Sequence, residues 1–294
     1  MKASIFEVKC ITNLHIGTSG NAYGVIKNEV EKDAVLNTPM LPASGIKGAL
    51  RDYWRQNKKE HEVEIFGTDT KERDKIKKGK CKFLNAQLIF RPMRVSFGDY
   101  AYCLVTTQDL IITMLATFNA FGIKKYRGIS TETYSKKDIF SSILEECKGD
   151  IAGIVYYPNG HIEEIEGYCV KTVGNKDTKN KKIEEIYKML FELSEGVPIA
   201  IVKSDIFNTI DLPIVARNHL VDGKSNNLWY EEIVPHQSRF YFMTIWEAGD
   251  DKLYEVMKEE ICKTPVSFGG NNSVGNGYCS IKEVKTEEEV HNGK

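Results

Sequence analysis

Residues 39–51 read Pro39-Met40-Leu41-Pro42-Ala43-Ser44-Gly45-Ile46-Lys47-Gly48-Ala49-Leu50-Arg51 and run on into Asp52-Tyr53-Trp54-Arg55. Ile46, Leu50, Tyr53 and Trp54 recur at i, i+4, i+7 and i+8, the spacing of one face of an α-helix. Ser44 stands where a hydroxyl caps a first turn, so the pattern predicts a helix of about three turns. Gly45 and Gly48 leave the backbone N–H groups of that turn open to an anion. Lys47 and Arg51 fall four apart on one face, where two cations can grip adjacent phosphates. By spacing alone, a solvated face is the simpler reading of that pair.

Upstream, Phe6-Glu7-Val8-Lys9-Cys10 alternates in the manner of a half-buried strand and ends in a loop around Leu14–Asn21. Downstream, residues 71–82 read KERDKIKKGKCK, with no apolar period, and predict an exposed, mobile loop. Strands are expected at 83–90 and 100–106 as one hairpin, then at 151–157, 168–173, 212–220, 228–234, 239–246 and 278–284. Helical periodicity covers 110–121, 139–147, 183–193 and about 253–262. Strands, helices and hairpins interleaved without a fixed-period repeat imply an α+β fold of ferredoxin-like modules.

The composition narrows the class. There are 40 Lys plus Arg against 41 Asp plus Glu, 41% hydrophobic and 28% charged residues in 294. With a mean hydropathy of −0.34, this is ordinary globular usage and excludes disorder, collagen and coiled coil. No run reaches the roughly 18–20 apolar residues that cross a bilayer, and Glu7 and Lys9 interrupt any signal-like start. No membrane partner is therefore expected, and the expected location is the cytoplasm. The seven cysteines are too widely spaced for a zinc ribbon or a disulfide framework. A formal charge of −1 argues at first against nucleic acid.

A glycine-rich run, Gly269-Gly270-Asn271-Asn272-Ser273-Val274-Gly275-Asn276-Gly277, precedes the last strand. It lacks both the GK[ST] ending of a P-loop and GxGxxG spacing, which disfavours a nucleotide triphosphate. It is either a structural turn or a row of backbone N–H groups that can lie against a sugar-phosphate chain. His15 has the chemistry of a general base, although a lone histidine at a strand end is more often structural. Gly17-Thr18-Ser19-Gly20 is not a nucleophile elbow. Nothing assembles the acid, base and nucleophile of a small-molecule enzyme.

In order, His15-Ile16-Gly17, Gly24-Val25-Ile26, the 39–51 segment, Ile65-Phe66-Gly67 and the 269–277 loop resemble the RAMP superfamily of CRISPR-Cas proteins. There the middle segment reads roughly PxIPxSSxKGxLR. Gly79–Leu88 leading into Arg91-Pro92-Met93-Arg94, and Leu228-Trp229-Tyr230-Glu231-Glu232 followed by Pro235, look like the backbone subunit of the type III-B (Cmr) effector complex. The resemblance implies one RAMP-type domain, an RRM-like palm with a thumb-like β-hairpin. Insertions are expected at 71–82 and over the weakly matched region of roughly 120–210. It implies copies stacked in a filament along CRISPR guide RNA, with target RNA and other Cmr-type subunits as partners. It puts guide contacts at His15, Gly17, Thr18, Ser19, Ser44, Lys47, Arg51, Gly269, Gly270, Asn271, Asn272, Gly275 and Gly277. A sequence-blind grip on RNA suits glycines and phosphate-binding cations.

Family members that cut target RNA do so with a divalent ion such as Mg²⁺ and carry an aspartate in a loop reading roughly GxxDxPxxRE. Here the run is Gly24-Val25-Ile26-Lys27-Asn28-Glu29-Val30-Glu31-Lys32-Asp33, with Lys27 at the aspartate position. An ammonium cannot ligate Mg²⁺. Glu29, Glu31 and Asp33 are the nearby carboxylates that could replace it. The expectation is a scaffold, with no firmly bound cofactor, that cuts target poorly or not at all. The alternative is a stand-alone RAMP endoribonuclease that processes CRISPR precursor RNA, with His15 as base. The near-zero net charge also hides a division. Residues 1–95 hold 18 basic against 11 acidic side chains, and residues 96–294 hold 22 against 30.

Overall fold

The computed structural model describes residues 2–17, 26–68, 76–136, 139–140, 143, 145, 147–174 and 180–284. Thr18, Ser19, Gly24 and Val25, residues 71–75 of the 71–82 loop and part of the expected helix at 139–147 lie outside them. The chain forms two compact units. One is built from residues up to 88 together with those from 212 onward, the other from residues 89–211. Among the described residues, no helix is long and apolar enough to cross a membrane.

In the first unit, Lys2–Cys10 lies between Arg239–Trp246 and Tyr278–Val284, antiparallel to both, and Val266–Ser267 forms the outer edge beside Tyr278–Val284. Phe6 stacks on Phe242 across the strands at 5.1 Å. The helices Ala43–Gln56 and Asp251–Lys263 pack here, and Ile46, Leu50 and Trp54 of the first are fully buried, as their spacing predicts. The helix begins at Ala43, not Ser44. Ser44 makes no cap, and the Asn85 side chain accepts the Ala43 N–H at 2.9 Å instead. A cap supplied from a residue 42 positions away replaces the local one because Pro42 occupies the N-cap position without a side-chain acceptor.

The described part of the 71–82 segment, from Lys77 onward, is held by backbone hydrogen bonds. Thr68 N–H bonds the Lys77 carbonyl, and Lys80 and Cys81 N–H bond Glu64 and Ile65. A side chain on Gly79 would lie 2.5 Å from the Ile65 carbonyl oxygen, so only glycine permits this backbone approach.

Residues 214–232 form the hairpin Ile214–Val221/Lys224–Glu232, longer and more continuous than the two strands expected at 212–220 and 228–234. Its turn is Asp222-Gly223, both in the left-handed region (φ 50° and 77°), the pairing that closes a two-residue hairpin. Ile26–Asn28 adds a third, parallel strand alongside Lys224–Glu232.

In the second unit the strand order is Ile162–Ile165, Tyr168–Val173, Gly153–Tyr156, Ile199–Val202, Tyr102–Thr107 and Ala86–Gly98. The first of these also pairs with the far end of Ala86–Gly98, so the sheet closes on itself like a barrel. Ile154, Leu104 and Ile201 of its strands are buried, and the helices Gln108–Ala120 and Lys181–Leu193 add apolar faces. Tyr156 stacks on Tyr187 of the latter at 5.0 Å.

Candidate nucleic-acid interface

Beyond Cys10 the first strand becomes a segment held on both sides. Leu14 exchanges backbone hydrogen bonds with Val234 at 2.8 Å, and Gly17 bridges to Val30. His15 is 6% exposed and its Nδ1 meets the Glu232 carbonyl at 2.9 Å, so it is the donor there. That bond turns the imidazole inward, a frame role rather than that of a solvent-facing base.

The glycine loop is seated on this segment. Gly270 N–H bonds the His15 carbonyl at 2.9 Å, and Gly277 N–H bonds Asn13 at 2.8 Å. Gly269 (φ 72°) would place a side chain 2.1 Å from the His15 carbonyl oxygen, and Gly277 (φ 88°) 2.2 Å from that of Phe268. These two glycines are needed for the seat itself. Gly269, Gly270, Asn272 and Gly275 are exposed, Asn271 is half-buried, and a short 3₁₀ turn at Asn272–Val274 carries the crown. We expect Gly269→Ala to lower the thermal midpoint clearly more than Gly275→Ala. Both lose about 1–2 kcal/mol to left-handed strain, and only the first adds a backbone clash. Gly270→Ala, with nothing closer than 3.8 Å, should leave the midpoint unchanged. A scanning-calorimetry series checks the ranking.

A buried carboxylate ties these pieces together. Glu231, 3% exposed, accepts Asn28 Nδ2 at 2.8 Å, Trp229 Nε1 at 2.8 Å, Asn271 Nδ2 at 2.9 Å and Arg217 Nε at 3.2 Å. Burial pushes its carboxyl up, but the Trp229 and Asn28 hydrogen bonds, the nearby His15 and the Arg217 bond outweigh that and hold it below its ordinary value. Glu232 beside it accepts Val30 N–H at 3.0 Å and Lys32 Nζ at 3.4 Å. One carboxylate pair thus clamps the hairpin, the 26–32 segment and the glycine loop. Sequence reasoning quoted Glu231 and Glu232 only as part of a resemblance. Two adjacent glutamates closing an aromatic strand were the available signal, since strands are poor in Glu.

On the helix Ala43–Gln56, Ser44, Gly45 and Gly48 are exposed, and nothing approaches within 4 Å of either glycine. Lys47 is half-buried. Arg51 differs from it, because its Nη2 donates to the Phe66 and Gly67 carbonyls, at 2.5 and 2.9 Å, and its Nε lies 3.8 Å from Glu62. We expect Lys47→Ala to weaken guide RNA binding and to reduce the salt slope by about one, with no change in thermal midpoint. Arg51→Ala should instead lower the midpoint by releasing the Phe66–Gly67 turn. Fluorescence anisotropy at several salt concentrations, beside a melting curve, separates the two roles.

Lys27 is exposed on Ile26–Asn28, and the carboxylates near it do not make a metal site. Asp33 closes its own turn, accepting Val35 and Leu36 N–H at 2.9 Å and Gln87 Nε2 at 3.2 Å. Burial raises its carboxyl, but those bonds outweigh it and the group sits below its ordinary value. Glu29 is exposed, Glu31 half-buried, and Glu231 is saturated by its donors. Among the described residues, no group of three or more His, Cys, Asp or Glu is placed to hold a metal ion. The described carboxylates around Lys27 do not by themselves fit a divalent ion.

The fold and this site define an α+β protein with a backbone-lined, glycine-crowned surface. The chain belongs to the RAMP superfamily, whose family model matches residues 7–280, including the region that motif matching left weak. It is 27% identical over 310 aligned residues to the CRISPR system Cmr endoribonuclease Cmr4 of Pyrococcus furiosus, covering 99% of both chains. In fold it resembles a chain of the type III-B Cmr-β complex seen by cryo-EM in the apo state, with TM-score 0.72, 19% identity and coverage of 96% and 97%. A crystal structure of oligomeric Cmr4 from Pyrococcus furiosus matches with TM-score 0.65, 18% identity and coverage of 97% and 100%.

Proposed function

We propose that this chain is a multi-copy backbone subunit of a type III-B CRISPR effector complex that binds CRISPR RNA, positions guide-paired target RNA and is deficient in cutting it. The observation that carries the reading is the exposed Gly269–Gly275 crown seated on the His15 segment and tied through Asn271, Glu231 and Asn28 to the strand that bears Lys27. Exposed backbone follows a sugar-phosphate chain irrespective of sequence. The full-length likeness to an endoribonuclease Cmr4, and to a complex that has also been seen bound to cognate target RNA, supports the backbone-subunit part of this reading. Guide contacts fall to Ser44, Lys47, Gly269, Gly270, Asn271, Asn272 and Gly275, with His15, Gly17, Arg51 and Gly277 as their frame.

A ferredoxin-like palm is supported by strand order. Tyr278–Val284, Lys2–Cys10 and Arg239–Trp246 lie side by side, with the helix Ala43–Gln56 between Lys2–Cys10 and Arg239–Trp246 in chain order and the helix Asp251–Lys263 between Arg239–Trp246 and Tyr278–Val284. The hairpin Ile214–Glu232, exposed along most of its length, is the thumb in this reading. A processing enzyme with His15 as base is disfavoured by the inward bond of its imidazole. Mixing the protein with guide RNA and measuring mass by size exclusion with light scattering tests the proposal. A ladder rising by about one 33.4 kDa subunit per step is expected. A single one-to-one complex would overturn it.

A further inference from the structure

We propose that Cys10 and Cys279 are an oxidation site, a cross-strand pair that a peroxide converts to a disulfide without unfolding the protein. The two residues are direct partners in the antiparallel register of Lys2–Cys10 and Tyr278–Val284, and their sulfurs lie 3.8 Å apart. Cys10 gives its N–H to Ser238 and takes the N–H of Gln237, so both of its backbone groups point away from Cys279, to the turn that leads into Arg239–Trp246. Toward Cys279 it is therefore a non-hydrogen-bonded partner, the position at which facing Cα atoms come closest. Side-chain rotation has to close the sulfurs to about 2.05 Å, with no change of register.

The location gives the pair a consequence. Cys10 is the last residue before the His15 segment, and Cys279 follows Gly277 by two positions. A bond between them fastens the roots of both loops of the candidate interface. Both thiols are fully buried, and contact with the Cys279 thiol and burial push Cys10 well above the ordinary thiol range, against the pull of Arg239. Both cysteines are free, and the resting Cys10 thiol is protonated and slow to react. Access comes through fraying beside the two-residue edge strand Val266–Ser267, the other neighbour of Cys279.

In the reaction the Cys10 sulfur attacks one peroxide oxygen, the O–O bond breaks, and a water leaves with a sulfenic acid on Cys10. The Cys279 sulfur then attacks the Cys10 sulfur and expels a second water. Two thiols lose two electrons and two protons to one hydrogen peroxide.

The test treats the reduced, folded chain with hydrogen peroxide, quenches with catalase, then denatures and alkylates it. A non-reducing digest should give a Cys10–Cys279 linked peptide, two protons lighter than its parts and reversed by dithiothreitol. The melting midpoint should rise by about 5 °C or more, because the bond closes a very long loop. Cys279→Ser should abolish both changes, whatever the exposed Cys169 and Cys262 do. Full alkylation of Cys10 and Cys279 after peroxide, a cross-link formed only in denaturant, or an unchanged midpoint would overturn the proposal. The wild-type digest decides the matter even if the variant folds poorly.

Discussion

Lys27→Asp, in a complex assembled with guide RNA, is expected to cleave guide-paired target RNA in Mg²⁺, with the wild-type complex at least about a hundredfold slower. The argument is one of donor chemistry. Mg²⁺ takes hard oxygen ligands and is commonly held by one or two carboxylates together with substrate phosphates. A protonated lysine offers three donors and no lone pair, and beside a phosphate it repels the ion while attracting the RNA. Of the neighbouring carboxylates, Asp33 is spent on its own turn and Glu231 on its four donors. The substitution moves the local charge by two units, so target affinity at low salt should fall while cleavage appears. Lys27→Ala removes the ammonium without adding an oxygen and should remain inactive. Uncut substrate on a denaturing gel for Lys27→Asp, at saturating Mg²⁺ and with the complex intact, would sink the idea.

The largest expected loss of stability follows Glu231→Ala. It takes one acceptor away from Asn28, Trp229, Asn271 and Arg217 together, in a site only 3% exposed. Stranding buried donors beside a part-buried guanidinium costs about 3 kcal/mol, which corresponds to a fall in melting midpoint of about 6–12 °C. Glu231→Gln keeps the shape and one acceptor and should lose about half as much. Because the folded carboxyl is held below its ordinary value of 4.5, its contribution is complete above that pH. As pH falls through the lower folded value the contribution disappears, so the gap between wild type and Glu231→Ala should close in acid and stay constant near neutrality. A gap that is widest in acid would contradict the clamp. Guide affinity should fall with Glu231→Ala at neutral pH, since Asn271 loses its anchor to the hairpin.

Much of this was legible in the chain. The helix at 43–56 and its buried Ile46, Leu50 and Trp54 follow from apolar spacing, a local property. Strands at 168–173, 239–246 and 278–284 coincide with the observed elements for the same reason. Asp222-Gly223 was a readable hairpin signal that composition obscured, since the residues around it are polar. Ser44 was misread as a cap because capping depends on which acceptor reaches the N–H, and Asn85 reaches it from another segment. The anchoring of residues 77–81 is not legible in the charge density of 71–82, because it depends on Gly67 and Gly79, which let two backbones meet.

The sequence by itself determined the family, the α+β character, the glycine loop and the lysine at the expected aspartate. Each is a property of residue type and order. Tertiary structure alone decided what those residues do to one another. It spent Arg51 on two backbone carbonyls, although Lys47 and Arg51 stand on one helical face. It turned His15 inward and made Glu231 the common acceptor of donors more than 200 residues apart in the chain. Hydrogen-bond partnership and desolvation depend on distance in space, and a linear pattern encodes such distances only for neighbours along one helix or strand.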